Sequence, residues 1–235
     1  MTRSVLAAVL LLVAQHASAG SVRVGAGALL DVGSSQLDLG CHDLEVSGVF
    51  SAGSGSTGQI RHLAIATGGA VDGSPGALEV TGDWDNQGIF AAGSGRVAFV
   101  DGCGLGSANV SGDTTFSQVS FSTNTGKTLF FEAGATQRVT GPLSMGGAEG
   151  SGLVIRSSQP GVAGFLDRSG TQTTIAWVDV QDNQAIGLPI VVGPAILGSN
   201  TLGWVLASPV PALGIGALSV LTALLLGLGA RRAER

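Results

Sequence analysis

The sequence predicts an all-β fold, a parallel β-helix or solenoid with coils of about 20 residues, and three observations predict it. Gly33, Gly53, Gly73 and Gly93 are spaced by 20, and each precedes a serine: Ser34, Ser54, Ser74 and Ser94. A second column, Gly48, Gly68 and Gly88, has the same step, and the apolar series Leu30, Phe50, Ala70 and Phe90 runs between the two. Short pieces such as Leu37-Asp38-Leu39, Leu44-Glu45-Val46, Leu63-Ala64-Ile65 and Leu78-Glu79-Val80 alternate with period two, so one face of each is apolar. Stacked coils explain all three, with glycine at the corners where positive φ is needed. A sandwich or barrel would show turn signals every 8–12 residues but no fixed column register.

Composition agrees. Glycine occurs 39 times and only 11% of residues are charged, yet 44% are apolar, enough to bury a core. Between Gly20 and Pro209 seven basic residues face fifteen acidic ones, a net charge near −8. With no basic stripe to meet phosphates, nucleic acid is not an expected partner.

Taken in order, residues 1–19 have the layout of a secretory signal peptide. Arg3 supplies the positive start, Val5 to Val13 the apolar stretch, and Ala17-Ser18-Ala19 a small-residue cleavage site read at Ala17 and Ala19. Residues 20–206 form the expected solenoid domain. Past Asp101 the step drifts, but Val119-Ser120-Phe121, Leu129-Phe130-Phe131, Leu153-Val154-Ile155 and Val178-Asp179-Val180 still read as strands of the same solenoid. The fold should end near Thr201-Leu202-Gly203-Trp204, and residues 207–211 form a linker that runs into a sorting motif. Residues 212–230 are expected to be a transmembrane helix, because Val210 to Ala230 carries no charge and matches one bilayer crossing. Arg231, Arg232 and Arg235, within a basic end at 231–235, would stop transfer and stay cytoplasmic.

The tail Ser208-Pro209-Val210-Pro211-Ala212-Leu213-Gly214, followed by an apolar stretch and an Arg-rich end, resembles the C-terminal sorting signals of the IPTL-CTERM and PEP-CTERM families. Val210, Pro211, Ala212 and Leu213 match the Ile-Pro-Thr-Leu box in type. Ile215-Gly216 stands where those families usually carry Trp-Gly, and the match covers about 28 residues. The resemblance implies a Gram-negative exported protein, anchored in the inner membrane until an exosortase-type sorting protease releases it to the cell surface. Segments from Thr114-Thr115-Phe116 to Trp177-Val178-Asp179-Val180 likewise resemble a segment recurring in bacterial exported repeat proteins, which implies a parallel solenoid there too.

Few constellations offer chemistry. Cys41 and Cys103 are the two cysteines, and an exported pair is ordinarily a disulfide. Three coils of separation would put them about 14 Å apart, beyond disulfide reach unless Asp101 to Gly106 folds back, so the spacing leaves the bridge open. His42 and His62 are expected in one column beside Cys41, but no spacing completes a metal set. Asp83-Trp84-Asp85 opens like a calcium loop, yet Ser94 stands where the helical loop needs Glu; calcium between coils would be the remaining option. Gly53 to Gly58 spells GxGxxG without a following helix pattern and reads as a corner.

Asp179 and Asp182 near Trp177 form a candidate carboxylate pair, with a solvated strand end as the plainer reading. Asp43 and Asp83 share a column, with Leu63 expected between them. Trp84 and Trp177 are candidate sugar platforms. No triad, cofactor or metal set emerges. The expectation is therefore a non-catalytic structural or adhesive surface protein whose partners are the membrane and a sorting protease, with extracellular polysaccharide or other surface proteins beyond them. The alternative is a β-helix that binds or degrades polysaccharide.

Overall fold

The computed structural model describes residues 20–207 apart from Thr174. The signal at Ala17 and Ala19, the motif Val210 to Leu213, the 212–230 segment and the basic end at Arg231, Arg232 and Arg235 lie outside the described residues. Among the described residues no helix is long and apolar enough to cross a membrane.

Every inter-strand ladder along the rod is parallel, and the coils average about 21 residues. The long face is a nine-stranded sheet running from Ser21–Val24 through Asp43–Val46, Leu63–Ile65, Trp84–Asn86, Ser107–Ser111, Lys127–Phe131, Leu153–Ser157 and Val178–Val180 to Ala195–Leu197. A second face comprises two four-stranded sheets in succession, Leu29–Asp31 to Ile89–Ala91 and then Thr114–Phe116 to Asn183–Gly187. The third is six-stranded from Gln36–Asp38 to Leu143–Gly146, and the pair Ile190–Val192 and Trp204–Leu206 follows toward the end of the rod. Strands of three to five residues alternate buried and solvated side chains, so Leu44, Val46, Leu63 and Ile65 point inward from one face at every coil.

The expected columns are nearly right, and one coil departs from them. Val71, not Ala70, pairs with both Phe50 and Phe90, while Ala70 pairs with Val49 and Ile89. The glycine register accordingly runs Gly48, Gly69, Gly88, and Ser74 rather than Gly73 aligns with Gly53 and Gly93. The cause is the corner between the long and second faces. It is short after Val46 (Ser47-Gly48) but longer after Val24 and Ile65, where Ala28 N–H donates to Gly25 O and Gly69 N–H to Ala66 O in a closed turn. Gly68, at φ +85°, belongs to that longer turn. A step of 21 followed by one of 19 looks like two steps of 20 when only the outer coils are compared.

The core is one continuous column with an aromatic centre. Trp84 sits edge-on to Phe90 at 4.9 Å between centroids, Phe116 lies 5.2 Å from Trp84, and Phe99 stacks on Phe121 at 4.8 Å. Trp84 is fully buried and donates its indole N–H to Thr114 Oγ1 at 3.1 Å, so it is core and not the sugar platform expected.

Candidate functional site

The densest set of ionisable side chains lies where the third face turns into the long face. Cys41 and Cys103 are joined there, with Cα atoms 5.5 Å apart. The 14 Å expectation fails because Asp101 to Gly106 leaves its coil and runs back along the rod. Leu105 packs on Gly82, where an added Cβ would lie 2.7 Å from Leu105 Cδ1 and 2.3 Å from Arg61 O; only glycine admits that approach. The sulfur link therefore ties the corner before the second coil to the loop after the fourth, across a separation of 62 residues.

Below it run four outward side chains in register, Asp43, His62, Asp83 and Asn109, each one residue before the paired column Leu44, Leu63, Trp84 and Val110. Two expectations are corrected. His62 does not stack on His42, whose carbonyl instead accepts the Arg61 N–H. Asp43 and Asp83 do share a column, but His62 and not Leu63 separates them.

All four side chains have hydrogen-bond partners. Asp43 accepts two bonds from Arg61, Nε to Oδ1 at 2.9 Å and Nη2 to Oδ2 at 3.0 Å, which hold the guanidinium pKa above its ordinary value. Asp83 Oδ1 accepts the Asn109 N–H at 2.7 Å and its side-chain amide at 3.0 Å. His62 Nδ1 lies 2.9 Å from the Asp83 N–H and 3.2 Å from Asp83 Oδ2, so the imidazole sits directly over that residue.

Behind this row lies a buried cation that counting by coils does not anticipate. Lys127 is buried, and its ammonium donates to Thr81 O at 2.5 Å and Val100 O at 2.7 Å. Burial lowers its pKa, against the opposing charges of Asp101 and Asp83. For Asp101, burial would raise the carboxyl pKa, but hydrogen bonds outweigh it. The Asn124 and Thr125 amides donate at 2.7 and 3.1 Å, the Thr123 and Thr125 hydroxyls assist, and the pKa falls below the ordinary value. The signal available in sequence was that Lys127 is the one lysine of the chain, in a strand whose alternation turns it inward.

The remaining candidates separate. Asp179 points outward and pairs with Arg156 at 2.9 Å, while Asp182 is buried and accepts from Gly161 N–H and Asn200 Nδ2 at 3.0 and 3.3 Å. They do not converge on one bond, and Asp182 is a structural carboxylate rather than a solvated strand end. Asp83 and Asp85 flank an inward Trp84 on a strand, not a loop; Asp85 accepts from Gln87 at 2.9 Å, and Asn86 turns inward to the Asp113 carbonyl and Thr114 Oγ1. Among the described residues no group of three or more His, Cys, Asp or Glu is placed to hold a metal ion. The exposed tryptophan is Trp177, 38% accessible, which with Val178, Pro194, Ala195 and Ile196 lines an apolar groove of about 220 Å³ beside Asp179.

Chemically, the corner row can hold coils in register and present one face of fixed charge. It offers no nucleophile beside His62, and each carboxylate in the row is already bonded. In comparison with known proteins, the chain matches no family model, no curated protein and no solved structure.

Proposed function

We propose that this chain is a non-catalytic, exported structural or adhesive protein: a rigid rod displayed outside the inner membrane and released to the surface by a sorting protease. The observation that carries the reading is the order of parts directly after the last coil. Val210-Pro211-Ala212-Leu213, an uncharged stretch to Ala230, and Arg231-Arg232 with Arg235 follow one another without a gap. A signal-like residue pattern at 1–19 supports the same compartment, as does a disulfide in a chain with no other cysteine. A rod works through its surface, and the hydrogen-bonded carboxylates of the corner row fit that use better than acid–base work, which needs a free acid and base at one bond.

The test is the mass of the mature protein in a host that carries the sorting machinery. It should begin at Gly20 and lack Arg231 to Arg235. An intact C-terminus there would leave a plain membrane anchor and remove the sorting step. The Trp177 groove favours a second reading, polysaccharide binding, since an exposed indole over an apolar floor suits a sugar face. Turnover of any polysaccharide in a panel, abolished by Asp43→Asn or Asp83→Asn, would make that rival an enzyme and overturn the non-catalytic proposal.

A further inference from the structure

The two ends of the rod differ in a way that the core does not require. At the N-terminal end the first coil carries Arg23, Asp31 and Asp38 on its outward positions, charges of the kind that keep an open sheet edge from pairing with another. At the other end there is nothing of the sort. No charged residue occurs between Asp182 and Arg231, so the last coil is wholly uncharged.

Its outward positions carry a large apolar side chain on each face, beside the polar Ser199, Asn200 and Thr201. Ile196 projects from the long face and is 65% exposed. Leu202 stands in the turn after it at 73%, and Val205 lies on the strand Trp204–Leu206 at 47%. The coil before it repeats the pattern with Ile186, Leu188 and Val191, all exposed. Elsewhere large exposed apolar residues are fewer: Leu29, Val49 and Ile89 follow one stripe of the second face, among Asp31 and Asp72, and Val162 stands apart, while Trp177 adjoins the collar through the groove it shares with Ile196.

We propose that this apolar collar docks on a lipid bilayer, so that the rod stands with its last two coils in the headgroup layer, where the outward ion pair of Asp179 on the penultimate coil with Arg156 stays solvated. The inference rests on the membrane-anchor reading above. Tether length supports it: only residues 208–211 separate Ala207 from Ala212, where the expected transmembrane segment begins. At about 3.5 Å per residue, the end of the rod is held within roughly 18 Å of that segment. Depth agrees, because two coils at about 4.8 Å each occupy roughly 10 Å, the layer in which interfacial apolar faces are buried. The shape selects lipid over a second copy. A copy stacked end to end would cover the axial edge of Ala195–Leu197 and Trp204–Leu206 but leave the lateral Ile196, Leu202 and Val205 in water, whereas a headgroup layer surrounds the end on all sides. The open strand edge sets the limit of insertion, since its unpaired amides need the water of the headgroup region and would be costly in hydrocarbon.

The test uses the unsorted chain from Gly20 to Arg235, with its C-terminal stretch intact, reconstituted in dioleoyl-phosphatidylcholine vesicles. The native cysteines are bonded to each other, so a single added thiol is labelled cleanly. An environment-sensitive dye is placed at Leu202→Cys or, as control, at the equally exposed Leu29→Cys, eight coil steps or roughly 38 Å away. Brominated lipid should quench the Leu202 label at least twofold more than the Leu29 label, and aqueous iodide should do the reverse. Ile196→Asp with Val205→Asp should erase the difference while the chain still floats with the vesicles. Equal quenching of both labels in floating vesicles would refute the docking and leave the anchor intact. Failure to float would refute the anchor and the docking with it. Shielding of Leu202 that rises with protein concentration in the absence of lipid would assign the collar to a second copy and overturn the proposal.

Discussion

The disulfide permits the most quantitative perturbation. Replacing both cysteines, Cys41→Ser with Cys103→Ser, removes the link without leaving a free thiol. The loop it closes spans a sequence separation of 62, and the chain-entropy relation for a loop of that size gives about 4 kcal/mol at 25 °C. The loss should not be spread evenly. In a solenoid each coil contacts only its neighbours, so stability is close to a sum of local terms. The link spans the second to fourth coils, whereas the coils beginning at Lys127 lie wholly outside the closed loop.

Hydrogen exchange read coil by coil is therefore the suitable assay, with urea unfolding as its global partner. Protection should fall at the strands from Asp43–Val46 to Arg96–Phe99 and change little from Leu153–Ser157 onward. The oxidised protein under mild reductant should behave as the double serine variant does. Uniform loss along the rod would refute the one-dimensional argument. Coincident unfolding of the oxidised protein and the variant would refute the entropic one.

Three further outcomes follow from particular side chains. Gly53→Val should cost roughly 2–4 kcal/mol, because φ is +56° and the new Cβ would meet Gly33 O at 2.2 Å; Gly58→Ala, with no atom within 4 Å, should stay within about 1 kcal/mol, both by chemical denaturation. Lys127 has a folded pKa below its unfolded 10.5, so the unfolded chain binds more protons between the two values; stability should rise with pH across that window in the wild type and not in Lys127→Met, as read from denaturation midpoints. Asp182 is lowered, the Gly161 N–H being the largest cause. Its contribution is present above 3.8 and lost as pH falls through the folded value, so Asp182→Asn should be less stable at neutral pH and show a flatter acid limb in thermal melts.

Much of the architecture could be read from the residues because a coil repeats its own constraints. Each turn of the rod needs apolar residues at the inward positions and glycine where a corner closes against the coil below. The column Leu30, Phe50, Phe90 records that need directly. The misplacement of Ala70 and Gly68 marks the limit of counting. Corners after Val24 and Ile65 hold a complete turn that the corner after Val46 omits, and a fixed step averages the two. Register is set by strand pairing and not by distance along the chain. Later, the loops around Gly102-Cys103-Gly104 and Gly147 to Gly152 lengthen the step while the long face stays continuous, so the repeat fades from the sequence but the nine-stranded ladder persists.

The corner site was less legible, for a physical reason. A period predicts where strands stack; it does not predict where a loop returns. The estimate of 14 Å between Cys41 and Cys103 holds for two positions on the ladder, but Cys103 is not on the ladder. Glycines on both sides and a positive φ of 52° at Cys103 itself let the segment reverse, and Gly82 leaves room for Leu105 to lie flat against the rod. The same reversal explains Lys127. Once the Asp101 to Gly106 segment leaves the coil, the Thr81 and Val100 carbonyls are left facing a gap in the wall, and the lysine that opens the strand Lys127–Phe131, two steps along the long face from Trp84–Asn86, fills it from inside. The disulfide and the buried ammonium are two consequences of one departure from the repeat. Lys127→Arg would force a wider, five-donor guanidinium between two carbonyls set for a compact ammonium, so it should disturb the corner more than its retained charge suggests.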